Sequence, residues 1–265
     1  MAKIKKPDWV EDSEFDIKKV PCWVAPQQGD DGAKILTMPN VPHPLHGLAP
    51  RTIMGPTTWN HVRKKCYYDA GYKCEACGKI LGPGECQAHE LYTYNYVAGQ
   101  AKFERCVCLC KTCHVQGIHS GRALTMYKKG NPLMTRQMLL EGAENLFKRL
   151  HEYNVAHPNE EPLRAYATFV DYAKWPDLHD DMVALIKKYD VKFYQENPAF
   201  LAKWGDWKLV VGNTSYPTPY KDKMAWEIAM AANDQKNHNV ALKQEKPKTE
   251  TDLAVEEILG LTNND

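Results

Sequence analysis

The sequence predicts an α+β protein, mainly helical, organised around a cysteine-rich centre. Three observations carry that expectation. Two Cys-x-x-Cys pairs, Cys74/Cys77 and Cys110/Cys113, bracket a segment whose cysteines alternate as on a strand. Apolar residues recur at helical spacing in several segments beyond residue 130. Four prolines between Met38 and Arg51 disfavour helix there and leave an extended, irregular arm.

Each element follows from local chemistry. Residues 1–55 are expected to form the extended arm, packed on the core through Leu45, Leu48 and Ile53. A helix should begin near Pro56, a residue suited to the first turn, carry Trp59, Val62, Cys66 and Ala70 on one face, and stop at Gly71. The cysteine-rich segment completes a unit spanning 56–130. A mainly helical region, 131–232, follows. Its clearest helix runs over 135–154, with Thr135 as cap and Leu139, Gly142, Leu146 and Leu150 on one face. Further helices are expected after Pro162 and over 177–189, and a short strand over 207–211 that ends at Gly212-Asn213 and a proline-rich turn. Asp222 should cap a last helix ending near Ala232. Residues 233–265 read as a flexible linker, polar through 252, and a short apolar peptide at 253–261.

Composition sets the outer bounds. With 265 residues, 43% hydrophobic and 25% charged, the chain is neither collagen-like, a coiled coil nor wholly disordered. No apolar run approaches the roughly 20 residues that span a bilayer. The start, MAKIKKPDW, lacks the apolar stretch of a secretory signal. The expectation is a soluble, cytoplasmic protein with no membrane partner. Net charge is +1, but residues 60–150 hold 14 Lys/Arg against 7 Asp/Glu, a balance of +7 that leaves −6 elsewhere. A basic centre between acidic ends suits a polyanion-facing middle; ordinary charge scatter is the alternative.

Nine cysteines, an odd number, argue against a disulfide framework in a reducing compartment. Two thiolates separated by two residues grip one ion from a tight turn, and two such turns close the four-thiolate shell of structural zinc sites. Cys74, Cys77, Cys110 and Cys113 are therefore the expected zinc ligands. Four buried or redox-active cysteines are the alternative. Cys108 should point away from the zinc, and Cys22, Cys66, Cys86, Cys106 and Cys108 fit small core positions.

Between the knuckles stands Gln87-Ala-His89-Glu90, and the second knuckle continues Cys113-His114-Val-Gln-Gly-Ile-His119-Ser-Gly-Arg122. A CxxC, a histidine ending a strand, then LCxxCH opening a helix resembles the HNH (ββα-metal, His-Me finger) endonucleases over roughly residues 59–125. The resemblance implies a ββα-metal finger within the helical domain and metal-dependent hydrolysis of DNA phosphodiester bonds. His89 stands where the family keeps its general base. His114 stands where it keeps its last metal-binding histidine, for a catalytic Mg²⁺ or Mn²⁺, while the zinc is structural. Two positions depart from the pattern. Ala88 replaces a metal-binding residue, and Arg105 replaces the middle asparagine. Glu90, His119, or His43 and His46 are the candidates to supply the missing donor. His119 lies about 140° around an α-helix from His114, so the two share an ion only where the helix ends or bends, as Gly117 and Ser120-Gly121 allow.

Arg105, Lys111 and Arg122 are the expected nucleic-acid contacts, to phosphates rather than base edges; a solvated basic face is the bland alternative. Two functions from different classes therefore stand: a DNA endonuclease, and a catalytically inactive HNH-like zinc-finger protein that binds nucleic acid or a protein partner. Residues 253–261 are the candidate protein-docking segment.

Overall fold

A computed structural model of the chain describes residues 23–165, 168–193 and 202–244. The apolar peptide at 253–261 and residues 1–22 of the N-terminal arm, Cys22 among them, lie outside the described residues. The chain divides into two compact units, one up to Pro219 and one from Tyr220 onward.

The first unit is α+β. Its sheet has four strands in the order β1 (Gln87–Asn95), β2 (Gln100–Leu109), β3 (Lys208–Val211) and β4 (Thr214–Pro217). β1 and β2 form an antiparallel hairpin in which His89 lies opposite Val107 and Glu90 opposite Cys106, with an irregularity between Leu91 and Tyr92. β3 joins β2 in parallel, Gln100 opposite Lys208, and β4 folds back antiparallel onto β3. The proline-rich turn expected after Gly212-Asn213 is thus a second hairpin; its outer strand is short and ends at Pro217, which leaves little periodic signal.

Helix α1 spans Pro50–Asp69 but breaks at Gly55, whose φ of 76° and ψ of 166° are non-helical, so its regular run starts at Pro56. Gly71, at φ 58°, turns the chain out of it. The described part of the arm buries Ile35, Leu36, Met38 and Leu45. It forms two short 3₁₀ turns rather than a fully extended path: Gly32–Thr37, opened by Asp31, whose carboxylate accepts from the Ala33 N–H, and His43–Leu45, where Pro44 suits the first turn.

After β2 the chain enters a π-helix, Thr112–Ile118, then α2 (Ser120–Lys128) and α3 (Arg136–Ala156). Thr135 caps α3 by accepting a hydrogen bond from the Met138 N–H at 3.2 Å. The apolar face of α3 (Leu139, Ala143, Leu146, Phe147, Leu150) is buried. Gly142 lets that face approach the π-helix so closely that an added Cβ would lie 2.3 Å from Gln116 Cβ. The helix after Pro162 is shorter than its apolar pattern suggests, α4 (Thr168–Ala173), because Ala165 forms a bridge with Phe193 instead. α5 spans His179–Lys188. The core runs from the hairpin through the π-helix to α3, α4 and α5.

The second unit contains α6 (Lys223–Gln244), opened by Asp222, whose carboxylate accepts from the Ala225 N–H at 2.8 Å. This helix passes the expected end near Ala232, so residues 233–244 of the expected linker are helical; Gln235, Lys236, Ala241, Leu242, Lys243 and Gln244 there are good helix formers.

Candidate functional site

The two Cys-x-x-Cys turns converge. Cys74 and Cys77 sit on a tight turn closed by the Gly78 N–H donating to the Cys74 carbonyl (2.7 Å), with Gly78 at φ 75°. Cys110 follows the last residue of β2, and Cys113 lies in the first turn of the π-helix. The four sulfurs lie within 4.8 Å of one another, with Cys77 and Cys110 3.9 Å apart. A tetrahedron with Zn–S bonds of about 2.3 Å has edges of about 3.8 Å, so the donor set fits a zinc ion. No described cysteine is in a disulfide, and Cys66, Cys86, Cys106 and Cys108 stay outside the cluster. Helix α3 supports the site from behind. Asn145 Nδ2 donates to Cys113 Sγ at 3.2 Å, and Arg149 donates to the Cys77 carbonyl at 2.9 Å. Such donors offset the negative charge of a four-thiolate shell. Sequence spacing did not reveal these two residues, because they belong to another helix.

A second cluster forms one turn further on. His89, His114 and His119 each present a ring nitrogen within 4.8 Å of the others, and their ring centroids are 4.8 to 5.1 Å apart. The π-helix is the reason. Its i→i+5 bond, the His119 N–H to the His114 carbonyl at 3.0 Å, returns residue 119 to the face of residue 114. An α-helix would have separated them.

The hairpin supplies the third imidazole and its support. Gln87 and His89 are two residues apart on β1 and so share a strand face. His114 Nδ1 donates to Gln87 Oε1 at 2.5 Å, which directs the Nε2 lone pair of His114 away from Gln87. His89 is only 4% exposed, and neither of its ring nitrogens has a hydrogen-bond partner. Burial, then the neighbouring His119, His114 and Arg51, holds His89 well below the usual imidazole range. Burial, then His119, Arg122 and Arg51, pushes His114 down to about 4, and burial with Arg122 and Arg51 lowers His119. All three rings are therefore neutral at pH 7, with lone pairs available.

The cluster forms part of the lining of a cleft of about 700 Å³. Ala88 and Glu90 also line it, apolar walls come from residues such as Val41, Leu48, Val115 and Ile118, and Arg51, Lys111 and Arg122 line it with positive charge. Of the expected phosphate contacts, Lys111 and Arg122 are exposed at this cleft. Arg105 is elsewhere: its guanidinium donates to Glu75 Oε2 at 2.7 Å, while Glu75 Oε1 accepts from the Cys108 N–H at 2.8 Å, so this arginine braces the first knuckle against β2. Among the candidates for the missing donor, His119 joins the cluster; Glu90, His43 and His46 do not. Glu90 lies 3.9 Å from Arg51 Nε, and His46 Nε2 lies 3.1 Å from the Val41 carbonyl. Arg51 went unnoticed in the sequence because only the fold carries the start of α1 to the cleft.

The chain matches no protein-family model, no curated protein and no solved structure. No helix among the described residues is long and apolar enough to cross a membrane.

Proposed function

We propose that this chain is a metal-dependent endonuclease hydrolysing DNA phosphodiester bonds in the cleft, with His89, His114 and His119 as the reacting core and zinc held structurally by the four cysteines. The observation that carries the reading is the convergence of three neutral imidazoles in a cleft lined by Arg51, Lys111 and Arg122. On the pattern of the family it resembles, His89 would take the proton of the attacking water as the phosphorus–oxygen bond to the leaving group breaks. A divalent ion at His114 and His119 would neutralise charge developing on the phosphate. The cationic rim orients the backbone phosphates without reading sequence.

The second reading, an inactive HNH-like zinc-finger protein that binds nucleic acid or a protein partner, is favoured by one feature. Ala88 lines the cleft where the family keeps a metal ligand, and it offers no donor. Supercoiled plasmid with Mg²⁺, Mn²⁺, Co²⁺ or Zn²⁺ separates the two. Metal-dependent nicking lost in His89→Ala and weakened in Arg122→Ala supports the endonuclease. No nicking with any of the four ions by a folded, zinc-loaded protein leaves the binding function.

A further inference from the structure

We infer that His89, His114 and His119 form one three-imidazole site for a borderline divalent ion of the Zn²⁺/Co²⁺/Ni²⁺ class, distinct from the four-cysteine site, with His89 a ligand and Gln87 the residue that positions His114.

The donor geometry comes first. Three ring nitrogens lie within 4.8 Å of one another, so the rings need approach by no more than about 1.4 Å to reach the roughly 3.4 Å separation set by metal–nitrogen bonds of about 2.1 Å in a tetrahedral site. His89 then adds an independent observation. A buried imidazole with both nitrogens unmatched loses its hydrogen bonds to water without replacement and is costly. Its two neighbours are imidazoles at ring-centroid distances of 5.1 Å, and neither hydrogen-bonds to it. An ion among the three rings satisfies one of those nitrogens directly.

Gln87 fixes the third point. An amide oxygen only accepts, so the His114 Nδ1 that faces it carries the proton and Nε2 becomes the ligand atom. This is the outer-shell arrangement that orients metal-binding histidines generally.

The donor chemistry selects the ion. No carboxylate among the described residues belongs to the cluster. Mg²⁺ prefers an octahedral oxygen shell, which three imidazoles do not provide. Imidazole suits Zn²⁺, Co²⁺ and Ni²⁺. The Mg²⁺ expected from the family resemblance therefore does not fit this site. Three protein ligands beside an open cleft also leave coordination positions free, as catalytic rather than structural sites do. Neutral ligands leave the ion's dipositive charge intact, and of the cleft's charged groups Arg51, Lys111 and Arg122 outnumber Glu90, so the open side favours an anionic ligand such as a phosphate group. That last step rests on the endonuclease reading; the metal site rests on the histidines alone and, because a neutral imidazole has a single lone pair, takes His89 as a ligand in place of the general-base role given it above.

The test uses the full chain with its cysteine site loaded with zinc, titrated with Co²⁺ in the absence of substrate. The expected result is a second ion per chain with visible d–d bands and no sulfur-to-cobalt charge-transfer band, retained in excess Mg²⁺. X-ray absorption of the cobalt-loaded wild type should count three imidazoles. His89→Gln and His119→Ala should lose the second ion while keeping the zinc, and Gln87→Leu should weaken it by about 10- to 100-fold. A count of two imidazoles, unchanged cobalt affinity in zinc-loaded His89→Gln, or displacement by equimolar Mg²⁺ would overturn the site. Should His89→Gln lose its zinc, the imidazole count on the wild type decides. A chain that binds cobalt this way but never nicks plasmid keeps this site and loses the endonuclease. One that nicks while His89→Gln binds cobalt normally does the reverse.

Discussion

Replacing Gly142 with alanine tests the close approach of α3 to the π-helix that carries His114. In an exposed helix that change stabilises by up to about 1 kcal/mol, since glycine is a poor helix former. Here the new Cβ would lie 2.3 Å from Gln116 Cβ and 3.1 Å from the Gln116 carbonyl carbon and oxygen. Ordinary contact begins at 3.4 Å, so the π-helix and α3 must separate by about 1.1 Å at this point. Gln116 Cβ is bonded to the backbone and cannot swing aside. Overpacking of this kind costs about 1–3 kcal/mol, and a rigid obstacle belongs at the upper end. Subtracting the propensity gain leaves about 2 kcal/mol of destabilisation, or a melting temperature about 4–8 °C lower for a unit of this size. Gln116 lies between His114 and His119, so the same displacement separates their nitrogens and lowers cobalt affinity. Thermal unfolding by circular dichroism and a cobalt titration read the two effects. An unchanged or raised melting temperature with normal cobalt binding would refute the close approach.

Chelating the zinc should abolish the cooperative melt, because structural zinc sites contribute about 10–16 kcal/mol in zinc-finger peptides, as much as a whole domain's stability of about 5–15; an unshifted transition in strong chelator argues against a structural ion. Arg105→Ala should cost about 2 kcal/mol, below the roughly 3–5 of a fully buried pair, since the two side chains keep 24% and 18% exposure. DNA affinity should be unchanged in Arg105→Ala, whereas Arg122→Ala should weaken binding and reduce the salt slope by about one; equal losses in both would put Arg105 on the phosphates after all. Burial pushes the Cys66 thiol up to about 12. A raised value means less thiolate at any lower pH, a fraction of about 10⁻⁴ at pH 8, so Cys66 should resist alkylation in the native protein and react only after unfolding. Native labelling as fast as in urea would contradict that burial.

What the sequence reveals, and what it hides, follows from range. Cys74, Cys77, Cys110 and Cys113 are legible because a metal knuckle is a local device whose spacing is fixed by the turn. His89 and His114 are legible by their positions relative to those knuckles. The grouping of His119 with His114 was legible only as a condition, that the helix end or bend near Gly117, because an angle of about 140° assumes an α-helix. The π-helix, which changes that angle, packs closely on α3 at Gly142, a contact between segments that no local sequence pattern encodes. Arg105 illustrates the same limit from the other side. Its charge suggests phosphate, but its partner, Glu75, lies 30 residues earlier on the first knuckle. β4 escaped notice because four residues ending in proline carry no periodicity of their own.

The parallel junction of β2 with β3 sets a timetable for biosynthesis. Lys208 pairs with Gln100 from 108 residues further along the chain. At roughly 5–20 residues per second, a ribosome needs about 5–20 s to deliver β3 after β2 has emerged. The β1–β2 hairpin needs only its own local turn and forms within microseconds. For that interval the nascent chain carries an open strand edge over Gln100–Phe103, a template for pairing with another chain. Early zinc capture by Cys110 and Cys113 would anchor the hairpin but leave that edge uncovered, so truncations ending before Lys208 should aggregate even when zinc is abundant.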